Sequence, residues 1–208
     1  RQWLHIRGKD RANPVLLFLH GGPGGAGIAF GRSMQRAWED DFTVVQWDQR
    51  GGGKTYASND PERVRPTMTV EQFVRDGVAV VEHLCQSLGV EKVALLGHSW
   101  GSYLGLAIAA RAPQRVSAFV GSGQIVHPVE YEAMTYDLVL RIATARKDEA
   151  ALKTLRAIPR PPSRAEDFSA HNRAINLLYV KYLDEIYGGR AERPNLIGAY
   201  WAALCSPE

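Results

Sequence analysis

The sequence predicts an α/β fold with a mostly parallel sheet, followed by a region that contains only helices. Three observations lead to this prediction. Short apolar runs recur through residues 1–125, segments with helical spacing lie between them, and glycine-rich turns follow several of the runs. Continuous apolar runs are typical of strands that are buried on both faces of a parallel sheet.

The predicted strands and helices alternate along residues 1–125. A helical segment that ends near Trp38 follows the second strand, and residues 49–53 form the loop after the third. A helix begins at Thr69, where Thr69 and Gln72 match a capping box, and Gly89 ends it. A helix of small residues follows the fourth strand. The strands are predicted at residues 2–6, 15–19, 43–48, 92–96 and 116–121.

The pattern changes after residue 125, because no further strand is predicted there. Helices are expected at residues 128–146, from 148 to before Pro159, from a cap at Ser163 and Glu166 to Tyr187, and at 195–205. An all-helical insertion after a strand is typical of a cap. We therefore predict two domains: residues 1–125 as the N-terminal part of a core whose C-terminal part is absent, and residues 126–208 as an incomplete helical cap. The apolar face of the longer cap helix comprises Phe168, Ile175, Leu178, Tyr182 and Ile186.

Composition excludes several classes of protein. The 208 residues are 45% hydrophobic, and the net charge of +3 is dispersed, so no nucleic-acid surface is predicted. No apolar run approaches a membrane span. Cys85 and Cys205 are expected to be buried free thiols, without a disulfide or metal site. A cytoplasmic location is expected, although residue 1 is Arg and a signal peptide upstream stays open; the oligomeric state is not predicted.

A serine motif stands at the end of the fourth strand. Gly97-His98-Ser99-Trp100-Gly101 matches G-x-S-x-G, and it lies between an apolar strand and a helix. In that setting the chain turns sharply and exposes the serine hydroxyl, and flanking glycines avoid clashes. We therefore predict Ser99 as a catalytic nucleophile.

A glycine-rich loop follows the second strand. It reads His20-Gly21-Gly22-Pro23-Gly24, and its backbone N–H groups are suited to bind an oxyanion. We predict the N–H groups of Gly22 and Trp100 as the two donors, with Gly21 as the alternative to Gly22. His20 is expected to support the loop rather than act as a base.

These two motifs, together with Asp48-Gln49-Arg50-Gly51-x-Gly53 between them, resemble the proline iminopeptidase branch of the α/β-hydrolases. The resemblance covers residues 1–125. It implies an α/β-hydrolase sheet and an aminopeptidase or related hydrolase of amides or esters, acting on a small molecule or short peptide. The family usually has a small residue where this chain has His98. Asp48 and Arg50 are expected to form an ion pair or a hydrogen-bond network beneath the serine, at the end of the strand, rather than to take part in catalysis.

The rest of the catalytic triad is not evident. In this fold the acid and the histidine follow the serine, but His127 and His171 both fall in the helical region. We therefore expect the triad acid and base beyond Glu208, and little activity from these residues alone. Three aromatic residues of the cap are candidates to line a substrate cavity or, more simply, to pack within it: Tyr136, Tyr182 and Trp201.

Two alternatives remain open. The glycines of residues 22–27 also match a dinucleotide-binding G-x-G-x-x-G loop, with Asp48 as the acid that would bind a ribose. The second alternative is a protein of this fold that binds a ligand without turnover. The serine hydrolase that we favour requires no cofactor and no metal.

Overall fold

The computed structural model describes residues 1–161 and 168–186. They form two compact units, of which the first is Arg1–Ile125 and the second begins at Val126. The first unit contains a β-sheet with helices, and the described part of the second is helical. No described helix has the length and apolar character needed to cross a membrane.

The sheet of the first unit has five strands in the order β1-β3-β2-β4-β5. β1 is antiparallel to β3, and the remaining pairs are parallel. The predicted mostly parallel sheet is therefore confirmed. The strands are β1 Trp3–Arg7, β2 Val15–Leu19, β3 Thr43–Asp48, β4 Val93–His98 and β5 Val116–Ser122.

The core of the first unit lies against the three central strands. Leu17, Val45 and Leu95 are fully buried neighbours across β2, β3 and β4, as the continuous apolar runs predict. Cys85 packs in the same core and is a free thiol. The helices of this unit are α1 Gly27–Gln35, α2 Gly53–Ala57, α3 Pro61–Val64, α4 Val70–Leu88 and α5 Trp100–Arg111.

Three local predictions are corrected. Helix α1 ends at Gln35, and a 3-10 turn, Arg36–Asp40, continues past Trp38, near which the helical segment was predicted to end. The predicted loop of residues 49–53 ends one residue early, because α2 begins at Gly53, and α3 follows it. Such short helices have too few residues to show a periodic pattern. The capping box is only half formed: Thr69 Oγ1 accepts from the Gln72 N–H, but the Gln72 side chain donates to Asp76.

The second unit has its own hydrophobic core. Tyr136 and Tyr182 are both buried in it, and the Tyr136 hydroxyl donates to the carbonyl of Leu155. The long helix predicted before Tyr187 is interrupted at Tyr182, whose N–H donates to the carbonyls of both Leu178 and Tyr179. The helices are α6 Pro128–Ala145, α7 Glu149–Arg156, α8 Phe168–Lys181 and α9 Leu183–Ile186.

Asp148 connects two helices of this unit. Its carboxylate accepts from the N–H of Ala151 and so caps α7, and it also accepts from the Tyr182 hydroxyl and the Lys181 ammonium. These hydrogen bonds, that of Lys181 foremost, hold the pKa of the Asp148 carboxyl well below its usual value. Several predicted features lie outside the described residues: the cap at Ser163 and Glu166, the helix at 195–205, Trp201 and Cys205.

Candidate active site

Ser99 lies at a strained turn between β4 and α5. Its backbone has φ 53° and ψ −123°, a conformation that a residue with a side chain rarely adopts. Both of its backbone polar groups are bound: its N–H donates to the Ser122 carbonyl at 2.9 Å, and its carbonyl accepts from the Ser102 hydroxyl at 2.6 Å. The predicted strand–turn–helix around Ser99 is therefore present, and these hydrogen bonds stabilise it.

The two glycines that flank Ser99 lie against backbone. A Cβ added at Gly97 would lie 2.2 Å from the carbonyl oxygen of Gly101, and one added at Gly101 would lie 1.9 Å from that of Leu19. Neither contact is with a flexible side chain that could move away. The glycines therefore allow α5 to start directly above β4 and beside the end of β2.

The sheet brings the glycine-rich loop to the serine. Leu19, the last residue of β2, pairs with Gly97 on the parallel neighbour β4, so both chains leave the sheet at the same edge. A Cβ at Gly21 would lie 3.2 Å from the Cβ of Ser99. Gly22 follows with φ +133° and a cis peptide bond to Pro23. The loop of residues 20–25, called the oxyanion loop below, thus lies directly beside Ser99.

The His20 side chain connects the oxyanion loop to Gln49, which follows β3. Its Nδ1 lies 2.7 Å from the Gly21 carbonyl, which only accepts, while its Nε2 accepts from the Gln49 N–H at 3.3 Å. These partners require a neutral ring with the proton on Nδ1. Burial lowers the pKa of His20, which favours the same neutral form. Both ring nitrogens are occupied, so His20 has no free nitrogen with which to act as a base.

Asp48 is occupied by the backbone around it. Its two carboxylate oxygens accept from the N–H groups of Ile28 and Lys54, and its carbonyl accepts from the Thr55 hydroxyl. A ribose-binding acid needs oxygens that are free for a ligand. Gly27, the last glycine of the G-x-G-x-x-G match, is explained by packing, because a Cβ there would lie 2.9 Å from the His20 ring. The geometry therefore disfavours the dinucleotide alternative.

Arg50 binds a residue that the sequence did not indicate. Its guanidinium donates twice to Asp76 on α4, at 2.7 and 2.9 Å, and once to Thr67 Oγ1. Gln72 completes the cluster by donating to Asp76. Asp48 and Arg50 thus belong to two separate networks at the end of β3.

Gln49, between them, was missed as a site residue. Its side-chain oxygen accepts from the Trp100 indole N–H at 3.0 Å, and its amide nitrogen donates to the His20 carbonyl at 3.1 Å. It is fully buried. The sequence feature that could have indicated Gln49 is its position in the Asp48-Gln49-Arg50-Gly51-x-Gly53 motif.

Among the histidines of residues 1–125, none forms a hydrogen bond with the Ser99 hydroxyl. His98 is exposed, and its Nδ1 lies 3.3 Å from the Ser122 hydroxyl. His127 caps α6 by accepting from the Glu130 N–H. The side chain of His171 lies outside the described part of the chain. Within that part, no group of His, Cys, Asp and Glu residues is arranged to hold a metal ion.

The site and the sheet match a known family. The family model for the alpha/beta hydrolase fold matches residues 14–178. The chain belongs to the α/β-hydrolase superfamily. Its curated relatives include proteins named as a probable aminopeptidase and as a proline iminopeptidase.

Two curated relatives illustrate the similarity. The probable aminopeptidase YbaC of Bacillus subtilis is 37% identical over 162 residues, which are 78% of this chain and 50% of that protein. The proline iminopeptidase of Arabidopsis thaliana is 35% identical over 117 residues, which are 56% of this chain and 28% of that protein. The chain thus spans half or less of the length of these relatives.

Solved structures share the fold. The crystal structure of a proline iminopeptidase-related protein from Thermus thermophilus matches with a TM-score of 0.53 and 24% identity. That match covers 86% of this chain and 67% of the other. VinJ matches with a TM-score of 0.51 and 22% identity over 85% of this chain and 64% of the other. At these identities the similarity establishes the fold.

Proposed function

We propose that the full-length protein is a serine hydrolase that cleaves an amide or ester bond through an acyl-enzyme on Ser99. The observation that carries the proposal is the placement of Ser99 on a strained elbow against Gly21 of the oxyanion loop. Ser99 is only partly buried, and the elbow fold is one that presents a serine hydroxyl to a substrate carbonyl. The backbone N–H groups of Trp100 and Gly22 are proposed to bind the carbonyl oxygen.

The reaction proceeds in two halves. The Ser99 hydroxyl attacks the carbonyl carbon and gives its proton to the base, and the N–H groups of Trp100 and Gly22 stabilise the oxyanion. The intermediate expels the amine or alcohol, which takes up that proton, and leaves the acyl group on Ser99. Water then attacks the acyl-enzyme and gives a proton to the base. The second intermediate releases the acid as the Ser99 oxygen leaves and takes that proton back from the base. Each oxyanion donor contributes about 3 kcal/mol to lowering the barrier.

The base and the acid of the triad are proposed to lie outside these 208 residues. This proposal is supported by two histidines of the first unit: both ring nitrogens of His20 are bonded, and Nδ1 of His98 lies beside the Ser122 hydroxyl. Without its base, a triad hydrolase keeps only about 10³- to 10⁴-fold acceleration over water. Residues 1–208 alone are therefore expected to be nearly inactive.

The substrate is proposed to be a small molecule or short peptide, with an aminopeptidase of proline iminopeptidase type as the first activity to assay. The names of the relatives from B. subtilis and A. thaliana support this choice. The helical second unit is proposed to serve as the cap of the site. Tyr136 and Tyr182 are buried in the hydrophobic core of this unit, so their role there is packing, the simpler of the two roles predicted for them.

A fluorophosphonate probe tests the nucleophile directly. The full-length protein is expected to be labelled, and Ser99→Ala is expected to abolish the label. Ser117→Ala serves as the matched control, since Ser117 lies exposed on β5 of the same sheet and should keep the label. Labelling that survives in Ser99→Ala would refute the proposed nucleophile.

A ligand-binding protein without turnover is the second candidate. It is favoured by one observation: no described side chain forms a hydrogen bond with the Ser99 hydroxyl. Absence of labelling in the wild-type, folded, full-length protein would favour this candidate over the hydrolase.

A further inference from the structure

A chain of buried hydrogen bonds runs through Gln49. Its side-chain oxygen accepts from the indole N–H of Trp100 at 3.0 Å, and its side-chain nitrogen donates to the carbonyl of His20 at 3.1 Å. Its backbone N–H donates to the His20 ring at 3.3 Å. One residue at the end of β3 therefore contacts both the elbow and the oxyanion loop.

The chemistry of its partners fixes the orientation of the Gln49 side chain. The indole N–H of Trp100 only donates, and the carbonyl of His20 only accepts. An amide satisfies both when its oxygen faces Trp100 and its nitrogen faces His20. Gln49 is 0% exposed, so water does not compete for these bonds.

The neighbouring charged groups are bound elsewhere. The Asp48 carboxylate accepts from the N–H groups of Ile28 and Lys54, and the Arg50 guanidinium pairs with Asp76. His20, the titratable partner of Gln49, is a neutral ring whose two nitrogens are both bonded. The Gln49 amide is thus held by neutral partners alone.

The two proposed oxyanion donors lie on different segments. Trp100 begins α5, and Gly22 follows His20 in the oxyanion loop. A backbone oxyanion hole works only when its donors keep their spacing within about 0.5 Å. We propose that Gln49 is a positioning residue that fixes the spacing of the two oxyanion donors by holding Trp100 and His20 at once. This inference rests on the proposed serine hydrolase activity.

Gln49→Glu tests the role through pH. An ionised carboxylate still accepts from Trp100, but its second oxygen faces the carbonyl oxygen of His20 and repels it. A protonated carboxyl regains a donor and restores both bonds. Burial and the facing oxygen are expected to raise the pKa of the introduced carboxyl, so the pair of bonds should return as the pH falls.

The measured quantity is the ratio of kcat for the variant to kcat for the wild type, taken at each pH from 5 to 9 with p-nitrophenyl acetate. Taking the ratio removes the titration of the common triad base. We expect Gln49→Glu to lose about 10- to 100-fold in kcat at pH 9, with little change in KM, and to recover towards pH 5. Gln49→Leu, which has neither bond, should show the same loss at every pH.

Gln46→Glu is the matched control. Gln46 lies on β3, three residues before Gln49, and is also buried, but its amide donates to Gln35 and forms no hydrogen bond with the elbow or the oxyanion loop. This variant places a similar carboxyl in the interior of β3. Its kcat ratio is expected to stay flat over the pH range.

A second readout is independent of activity. In ¹⁵N-labelled protein the indole N–H resonance of Trp100, assigned by its loss in Trp100→Phe, should titrate in Gln49→Glu with the same pKa as the kcat ratio. It should not titrate in Gln46→Glu.

The outcomes separate the two proposals. A wild type that fluorophosphonate does not label overturns the hydrolase. A labelled wild type whose Gln49→Glu ratio is flat with pH, or whose Gln49→Leu variant keeps kcat within twofold, overturns the positioning role alone. Should Gln49→Leu fail to fold, the pH dependence of Gln49→Glu decides.

Discussion

The packing of the elbow predicts a severe effect for Gly101→Ala. The new Cβ would lie 1.9 Å from the carbonyl oxygen of Leu19, whereas ordinary contact needs about 3.5 Å. The backbone of α5 or β2 would therefore have to move by about 1.6 Å, the difference between these two distances. Overpacking in a core costs about 1–3 kcal/mol when side chains can adjust. Because the obstacle here is backbone, we expect a loss of at least about 3 kcal/mol in the free energy of unfolding.

Urea unfolding followed by far-ultraviolet circular dichroism measures this loss. Gly89→Ala is the matched control, since Gly89 ends α4 with φ +69° but has nothing within 4 Å of the added Cβ. It should lose only about 1–2 kcal/mol, the cost of the left-handed conformation. The folded fraction of Gly101→Ala should also lose fluorophosphonate labelling, because the oxyanion loop follows Leu19. Equal losses for the two variants, with labelling retained, would refute the argument from packing.

Three further predictions concern charged and titratable groups. Arg50→Ala leaves the Asp76 carboxylate without its cation and should lower the free energy of urea unfolding by about 2–3 kcal/mol. This loss is at the low end for buried ion pairs because the Arg50 side chain is 21% exposed. A loss of less than about 0.5 kcal/mol would contradict this prediction. Burial lowers the pKa of His20 in the folded protein, so below pH 6.5 this histidine takes up a proton in the unfolded chain but not yet in the folded one. The free energy of unfolding should therefore decrease by up to ~1.4 kcal/mol per pH unit between pH 6.5 and the pKa of the folded state. His20→Gln should remove that slope, and an unchanged slope would show that another group causes it. Because the pKa of Asp148 is lowered, its ionised carboxylate stabilises the fold above pH 3.8, and this stabilisation is lost as the pH falls below 3.8. Asp148→Asn should therefore have a lower Tm than the wild type at pH 6 and a smaller difference in Tm at pH 2. An equal difference at both pH values would contradict this.

The elements predicted correctly are those that depend on local patterns. The run Val15–Leu19 is apolar because both faces of its strand are buried, and all but the first residue of Thr43–Asp48 is buried as well. The turn at Ser99 is predicted from its flanking glycines, and the structure gives the reason for each of them in a backbone contact. Such signals lie within a few residues of the feature that they specify.

The features that the sequence did not reveal depend on distant pairings. β1 pairs antiparallel with β3, although nothing in its own sequence distinguishes it from a parallel strand. Asp76 lies 26 residues from Arg50, and Gln49 binds His20 and Trp100 across 29 and 51 residues. Short-range periodicity carries no information on these contacts, because they form only when the sheet order brings the strand ends together.

The acyl-enzyme on Ser99 is tested most directly by mass spectrometry of the full-length protein, quenched with acid during turnover of p-nitrophenyl acetate. The account predicts a gain of one acetyl group, located by digestion on the peptide that contains Ser99 and absent from Ser99→Ala. Turnover without an acylated protein, or an acetyl group on another residue that turns over at the rate of the reaction, would contradict it.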